Sequence, residues 1–328
     1  MTTSQEPQDI DQTAETDVHR SGFACLVGRP NVGKSTLTNA MVGEKVAIMS
    51  ARPQTTRHTI RGIVNRDNAQ LILVDTPGLH RPRTLLGQRL NDLVAGTLGE
   101  VDVVAFCLPA DQGIGPGDKF IAEQLVPLMT SRRKIPVVAV ITKADAVSKG
   151  ELAEHLMEAE ELARSLEVEW AAIVPVSAVG GYQVRELEDV LIKHLPPGPD
   201  LYPDGELTDE PEEVMVGELV REAALEGVRD ELPHSLAVVV DEMNERPGSG
   251  DPETGKLPLV DVHVSLYVER DSQKAIIIGK GGARLREVGT RARQGIERLL
   301  GKRVYLDLHV KVAKDWQRDP KQLRKLGF

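Results

Sequence analysis

The sequence predicts a doubly wound α/β domain followed by a smaller α+β domain, and three observations support this prediction. Between residues 22 and 195, near-continuous apolar runs alternate with amphipathic stretches, as in a parallel sheet covered by helices on both faces. Residues 196–212 are rich in proline and acidic side chains, which is typical of a linker. After residue 213 the order of elements changes, and apolar residues alternate along 260–268 as in a strand with one buried face.

The first domain is placed at residues 21–195, after an acidic tail, residues 1–20, that we expect to be disordered. Its predicted buried strands are 23–27, 71–74, 101–108, 137–141 and 172–176, with 59–66 as a further strand at the sheet edge. Its predicted helices are 36–42, 86–98, 118–129, 151–166 and 184–194. A sheet of this type binds its ligand at the carboxyl ends of the strands.

The second domain is placed at residues 213–328, and its predicted order of elements is αββααβ. The elements are a helix at 214–232, strands at 236–245 and 259–269, a short helix that ends at a glycine turn, a helix at 283–300 and a strand at 304–312. A Gly/Pro-rich loop, 246–257, joins the first two strands.

The net charge of −10 conceals a strong asymmetry. Residues 256–328 hold 17 basic and 8 acidic side chains, whereas residues 1–255 hold 23 basic and 42 acidic ones. This asymmetry indicates that the basic end meets a polyanion, although a solvated charged surface would show the same composition. Cys25 and Cys107 lie in apolar runs and are expected to be reduced and buried. With no apolar run long enough to span a bilayer, we expect a cytoplasmic protein.

A phosphate-binding loop is the strongest motif of the chain. Residues 28–35 read GRPNVGKS and fit the pattern G-x-x-x-x-G-K-[ST] between a predicted strand and a predicted helix. Backbone N–H groups of such a turn hold phosphates, with Lys34 adding charge at the β/γ-phosphates and Ser35 binding Mg²⁺. The predicted contacts are Gly28, Arg29, Pro30, Asn31, Val32, Gly33, Lys34, Ser35 and Thr36.

Three later motifs indicate which nucleotide is bound. Asp75, Thr76, Pro77 and Gly78 follow one predicted strand, so that Asp75 can hold Mg²⁺ and the Gly78 N–H can contact the γ-phosphate. Thr142, Lys143 and Asp145 follow another strand, and Asp145 can accept two hydrogen bonds from guanine, which adenine cannot offer. Ser177 and Ala178 can place a backbone N–H on the guanine oxygen.

In this order, the motifs resemble those of the translation-factor-like GTPases, which have a Ras-like P-loop domain. The resemblance implies GTP hydrolysis with Mg²⁺ held by Ser35, Thr56 and Asp75, with Thr55 as the second choice for the threonine. It also implies that Lys34, Thr56 and Gly78 act in catalysis. One departure is Thr142, where the family has an asparagine that ties the base loop to the phosphate loop, so a lower affinity is expected.

The sequence predicts slow intrinsic hydrolysis. Ras-like enzymes place a glutamine just beyond D-x-x-G to orient water, whereas Leu79 and His80 stand here. His80 can be either a water-positioning residue or a packing residue. Asn31 matches GTPases in which a monovalent cation replaces an arginine finger, so K⁺ is expected as a possible further cofactor.

The basic domain contains a G-x-x-G turn at residues 279–282, between an isoleucine run and a basic helix. Such a turn lets a nucleic-acid backbone approach closely, as in the KH module, and the αββααβ order matches the type II KH fold. The predicted RNA contacts are Gly279, Lys280, Gly281, Gly282, Arg284 and Arg286. Trp316, in the basic tail, is either packed on the domain or stacked on a base.

A GTPase domain followed by a type II KH domain resembles the bacterial Era-like GTPases over residues 20–328. This resemblance implies binding to the 3′ end of 16S ribosomal RNA, assistance in 30S ribosomal subunit assembly, and possible peripheral membrane association; we expect a monomer. The alternative is a GTPase whose basic domain docks on a protein partner or a membrane surface rather than RNA.

Overall fold

The structure, a computed structural model, describes residues 18–49, 56–226, 235–251 and 253–328. The expectations for most of the acidic tail and for Thr55 lie outside these residues. None of the helices in the described ranges is long and apolar enough to cross a membrane.

The first domain is built on a six-stranded sheet with the order β2-β3-β1-β4-β5-β6. Its strands are β1 Arg20–Val27, β2 Ile60–Arg66, β3 Ala69–Asp75, β4 Val103–Pro109, β5 Val137–Thr142 and β6 Ala172–Pro175. Its helices are α1 Lys34–Val42, α2 Leu85–Leu98, α3 Pro116–Thr130, α4 Lys149–Ser165 and α5 Val184–Lys193. The edge strand β2 runs antiparallel to its neighbour and the other pairs are parallel, so the predicted doubly wound fold with an edge strand is confirmed.

Helices cover both faces of this sheet because its strands are apolar on both sides. Every residue of β4 is buried. Phe106 faces a core that includes Leu125 of α3 and Leu162 of α4, whereas Cys107 faces a core that includes Leu37 of α1 and Leu187 of α5. The loops at the carboxyl ends of β1, β3, β4, β5 and β6 are thereby held at one edge, which we call the carboxyl edge.

The segment after α5 is hydrogen-bonded to the sheet, although most of its residues are exposed. The backbone N–H of Ile63 in β2 donates to Leu207 O at 2.9 Å. Gln70 Oε1 accepts from the N–H groups of Leu201 and Tyr202 at 2.7 and 2.9 Å, and its Nε2 donates to Tyr202 O at 3.0 Å. The segment is therefore a strap along β2.

The second domain follows the predicted αββααβ order. It comprises α6 Glu212–Leu225, β7 Ala237–Glu245, β8 Leu259–Val268, α7 Asp271–Ile278, α8 Ala283–Leu300 and β9 Arg303–Val312. β7 pairs antiparallel and β9 parallel with β8. Alternate residues of β8, among them Val262 and Val264, bury one face of this sheet against α6 and α8, as the sequence pattern predicted.

One predicted helix of this domain is shorter in the structure, and the tail forms helices that the sequence analysis did not predict. The helix predicted over 214–232 ends at Leu225, and Glu226 has extended backbone angles, while positions 227–232 lie outside the described residues. In the tail, Trp316–Arg318 forms a 3-10 helix and Pro320–Lys325 forms a further helix, α9. Trp316 is fully buried, which favours packing over base stacking.

The two domains share an apolar core that we call the interdomain cluster. It is formed by Leu86 and Leu90 of α2 with Ala237, Tyr267, Ala313, Trp316, Leu323 and Leu326. The carboxyl-terminal segment is therefore packed against the helix that follows residues 75–78.

Candidate nucleotide and nucleic-acid sites

The phosphate loop links β1 to α1 at the carboxyl edge. Gly33 has φ 101° and ψ 12°, a left-handed conformation that favours glycine, and the helix begins at the next residue. The first N–H groups of a helix have no acceptor within it and carry the positive end of its dipole. Residues 33–36 therefore offer an anion-binding surface.

Lys34 lies inside this loop and is only 6% exposed. Its Nζ donates to Gly28 O at 3.2 Å and to Arg29 O at 3.1 Å. Burial lowers the pKa of Lys34, and the nearby carboxylate of Asp75 opposes this shift. The ammonium group is thus held at the loop by weak acceptors, where a phosphate would be a stronger partner.

Three oxygen-bearing side chains from separate segments meet beside Lys34. Ser35 Oγ donates to Asp75 Oδ2 at 2.6 Å, and the hydroxyl oxygens of Ser35 and Thr56 are 2.9 Å apart. Thr56 Oγ1 also donates to Asp75 Oδ2 at 3.4 Å. Burial raises the pKa of Asp75, with Lys34 and the two hydroxyls opposing the rise.

This cluster fits Mg²⁺. Asp75 Oδ1 is buried without a hydrogen-bond partner among the described residues, so the carboxylate has an oxygen available to a cation or its water. Hydroxyl and carboxylate oxygens are the hard ligands that Mg²⁺ prefers, together with waters and phosphates. In the described ranges there is no group of three or more His, Cys, Asp or Glu side chains that could hold a metal alone.

The predicted D-T-P-G motif, residues 75–78, packs directly on the phosphate loop. Thr76 Oγ1 donates to Leu26 O at 2.7 Å, and the N–H of Leu79 donates to Gly28 O at 3.1 Å. A Cβ atom on Gly78 would lie 2.6 Å from Pro30 N, which explains why glycine is required there. The Gly78 backbone therefore lies beside the phosphate loop, and its contact with the γ-phosphate stays a prediction.

Thr142 forms a hydrogen bond between the base loop and the phosphate loop, a connection that the sequence analysis had expected to be weakened by the absence of asparagine. Its Oγ1 donates to Val32 O at 2.5 Å, and the side chain is 3% exposed. A hydroxyl thus joins the base loop to the phosphate loop in place of the family's asparagine. The lower nucleotide affinity expected from this threonine stays a prediction.

The base loop is supported on two sides. Lys143 has φ 56°, and its Nζ donates to Asp111 Oδ2 and Oδ1 at 2.9 and 3.2 Å. The N–H of Ala144 donates to Val176 O at 3.0 Å, which places Asp145 beside the loop of Ser177 and Ala178. Sequence reasoning missed Asp111, although its place after β4 at the carboxyl edge was a usable signal.

Two predicted contacts are restricted by their hydrogen bonds. The N–H of Ser177 donates to Tyr182 O at 3.0 Å, which leaves the N–H of Ala178 to meet a base. Arg29 Nε donates to the buried Asp118 Oδ1 of α3 at 2.7 Å, so the side chain points to that helix. Its Nη2 is buried without a hydrogen-bond partner among the described residues, so the guanidinium keeps a donor available to a phosphate.

The residues beyond Gly78 do not resemble a water-orienting glutamine. Leu79 is buried in the core against α2. His80 Nδ1 lies 3.1 Å from Gly78 O, so its ring is engaged with the same turn. Asn31 has φ 64°, an uncommon value for a residue other than glycine, in the middle of the phosphate loop.

The G-x-x-G turn joins α7 to α8, and its glycines adopt positive φ angles at which other residues would be strained. Gly279, Gly281 and Gly282 have φ values of 72°, 60° and 74°. Lys280 and Arg286 are exposed and have no ion-pair partner in the described part of the chain. These two cations are free to meet phosphates.

Arg284 is hydrogen-bonded within the protein, and its predicted contact with RNA stays a prediction. One guanidinium nitrogen, Nη2, donates to Glu226 O at 2.8 Å and to Ala224 O at 3.4 Å, at the end of α6. Arg291 of α8 forms ion pairs with Glu226 and Glu287. The basic helix is therefore partly neutralised, and the charge near the turn comes from Lys280 and Arg286.

Comparisons with known proteins assign the family. Residues 23–143 match the family described as 50S ribosome-binding GTPase, and residues 231–317 match the KH domain. GTPase Era of Streptomyces coelicolor is 63% identical over 321 residues, which cover 98% of each chain. GTPase Era of Mycobacterium avium is 67% identical over 309 residues, 94% of this chain and 99% of the relative. The chain belongs to the Era family of GTPases.

Solved Era structures have the same fold. Era in complex with MgGDPNP and nucleotides 1506–1542 of 16S ribosomal RNA superposes with a TM-score of 0.84 at 36% identity, covering 94% of this chain and 99% of that one. A point variant of Aquifex aeolicus Era bound to GDP·AlF₄⁻ gives the same TM-score, 0.84, at 37% identity and the same coverage. A P-loop GTPase domain followed by a KH domain is thus confirmed.

Proposed function

We propose that this chain is a Mg²⁺-dependent GTPase switch that binds the single-stranded 3′ end of 16S ribosomal RNA through its KH domain and assists 30S subunit assembly. The observation that supports it most is the meeting of four loops at the carboxyl edge, 28–35, 75–78, 142–145 and 177–178, beside a buried carboxylate with an oxygen to spare. The exposed G-x-x-G turn on the other domain supplies the RNA-binding half.

The nucleotide is held and activated by residues of these loops. The N–H groups of residues 33–36 and the Lys34 ammonium hold the β- and γ-phosphates, and the Gly78 N–H contacts the γ-phosphate. Bound Mg²⁺, held by Ser35, Thr56 and Asp75, supplies positive charge against the phosphates. Because Leu79 is buried, no side chain at that position orients water, and slow turnover follows.

Guanine is selected by hydrogen bonds that adenine cannot make. Asp145 accepts from the ring N–H and the exocyclic amine, Lys143 lies along the base plane, and the Ala178 N–H donates to the guanine oxygen. Adenine in this site leaves the carboxylate unpaired, which costs about 1–3 kcal/mol or more.

Comparing the affinities for GDP and ADP by calorimetry tests the nucleotide half. Tight binding of GDP with ADP at least about a hundredfold weaker is expected, in line with hydrogen-bond selection. Equal affinities contradict it. Hydrolysis rates in K⁺ and Na⁺ test the accompanying proposal that Asn31 helps hold K⁺, and equal rates, or unchanged K⁺ dependence in Asn31→Ala, remove that part.

Gly281→Asp tests the RNA half, and the chain offers a matched control. Gly281 and Gly301 have nearly identical angles, φ 60° and ψ 24° against φ 61° and ψ 21°, and an added Cβ meets nothing within 4 Å at either site. The same strain and charge are thus introduced at opposite ends of α8, about 27 Å apart.

Gly281→Asp is expected to abolish binding of an oligonucleotide with the 16S 3′-end sequence, while Gly301→Asp binds as wild type and both keep GDP affinity. If both variants still bind the oligonucleotide, the result favours the alternative, a basic domain that docks on protein or membrane. Light scattering tests the proposed monomer. Fractionation of cells tests the proposed cytoplasmic location. Co-sedimentation with 30S subunits or with lipid vesicles tests the proposed contacts with the subunit and with the membrane.

A further inference from the structure

Arg57 follows the magnesium-site residue Thr56, and its side chain is 1% exposed, which is rare for an arginine. An arginine guanidinium keeps its positive charge in proteins. A buried cation needs partners within the protein. Those partners come from the second domain.

The first partners of Arg57 are a carbonyl and two aromatic rings. Its Nη1 donates to Leu236 O at 2.6 Å, at the start of β7. Its Cζ lies 5.6 Å from the Trp316 ring centroid and 5.9 Å from that of Phe328, within the range of cation–π contacts. His58 stacks on Phe328, with centroids 5.3 Å apart and planes 15° apart.

The aromatic pair is itself fixed in the second domain. Trp316 is fully buried, its Nε1 donates to Ser235 O at 2.9 Å, and it stacks on Phe328 with centroids 5.7 Å apart. Arg89 of α2 donates to Phe328 O. The carboxyl-terminal segment therefore contacts the chain just after Thr56 and the helix that follows Gly78.

We propose that Arg57, held by Trp316 and Phe328, is a positioning residue that keeps Thr56 at the magnesium site during GTP hydrolysis. Adjacent Cα atoms are about 3.8 Å apart, so fixing the Arg57 side chain restricts where the Thr56 hydroxyl can lie. The magnesium site of one domain is thereby completed by an aromatic pair of the other. This inference rests on the proposed Mg²⁺-dependent GTPase function.

The reverse effect follows from linkage. If docking of the second domain strengthens Mg²⁺·GTP binding, then Mg²⁺·GTP strengthens docking by the same factor. Replacing Phe328, a residue of the RNA-binding domain, is then expected to weaken Mg²⁺·GTP binding in the other domain. A residue that only packs locally would not have this effect.

The test measures, in the full chain, the Mg²⁺ concentration that gives half-maximal GTP hydrolysis. We expect Arg57→Ala and Phe328→Ala each to raise it by roughly tenfold, as the loss of a desolvated cation–π contact allows. GDP affinity without Mg²⁺ is expected to stay within about twofold of wild type, since the phosphate and base loops are untouched.

Arg246→Ala is the matched control. Arg246 also lies over an aromatic ring, with Cζ 6.0 Å from the Tyr305 centroid, but this pair lies within the second domain and away from Thr56. The Mg²⁺ requirement of this variant is expected to equal that of wild type. Phe328→Tyr keeps the ring and is expected to restore wild-type behaviour.

A Mg²⁺ requirement that is unchanged in both Arg57→Ala and Phe328→Ala overturns the inference while leaving the proposed function intact. If Arg246→Ala raises the Mg²⁺ requirement as much as the two test variants do, the effect is general destabilisation and the inference is overturned. A fall in GDP affinity without Mg²⁺ in the test variants has the same meaning. Wild-type protein that hydrolyses no GTP overturns both. Thermal unfolding of each variant confirms that it is folded under the assay conditions.

Discussion

In the proposed function Asp145 discriminates between guanine and other bases, and its side chain is exposed at the carboxyl edge. In Asp145→Asn, one acceptor oxygen becomes an N–H group that repels the guanine amine. We expect GDP affinity to fall by at least about a hundredfold, or about 2.8 kcal/mol. Xanthosine diphosphate, which has a carbonyl in place of that amine, should gain affinity.

Calorimetry with the two nucleotides checks this prediction. Asp189→Asn is the control, because Asp189 is an exposed carboxylate of α5 that lies 3.9 Å from its ion-pair partner, Arg185. Wild-type GDP affinity in Asp145→Asn would show that the base is read elsewhere.

Thr142 tests the tie between the base loop and the phosphate loop. Thr142→Val keeps the shape of the side chain but removes the donor to Val32 O. We expect the free energy of unfolding to fall by about 1–2 kcal/mol, because a buried carbonyl loses its partner, and GDP affinity to fall with it. Thr142→Asn keeps a donor and should retain more affinity; equal affinities in the two variants would exclude the tie.

At the scale of elements, the strap along β2 depends on Gln70, which is fully buried. Gln70→Ala removes the acceptor for Leu201 and Tyr202 and a donor to Tyr202 O. We expect the free energy of unfolding to fall by about 2–3 kcal/mol, with faster proteolysis after residue 200.

Urea unfolding measures this loss. Asn244→Ala is the control, because Asn244 donates an exposed side-chain hydrogen bond to Glu242 and its loss should cost under about 0.5 kcal/mol. Equal effects would mean that the strap adds nothing to stability.

Helices and strands were predicted to within a few residues where periodicity is strong. The helix over 283–300 was predicted with the bounds observed for α8, because its apolar residues recur on one face. The strap was not predicted, because Gln70 and Leu201 are 131 residues apart and no local pattern encodes their contact. For the same reason the hydrogen bonds of Arg284 to the end of α6 were not predicted.

At the scale of the whole molecule, the nucleotide loops were predicted residue by residue because each motif is local, whereas the contact between domains was not. Arg57 reads as an ordinary surface cation in the sequence, and Trp316 as an aromatic residue in a basic tail. Only the fold brings them within 5.6 Å. The proposed coupling between the GTPase and KH domains therefore depends on contacts that sequence patterns do not show.

The affinity of the full chain for the 16S 3′-end oligonucleotide, measured at one salt concentration with a non-hydrolysable GTP analogue or with GDP, tests the switch most directly. A fixed salt concentration is needed because phosphate contacts make RNA binding salt-dependent. A GTP-controlled RNA-binding protein should bind at least about fivefold more tightly in the analogue form. Equal affinities in the two forms would contradict it.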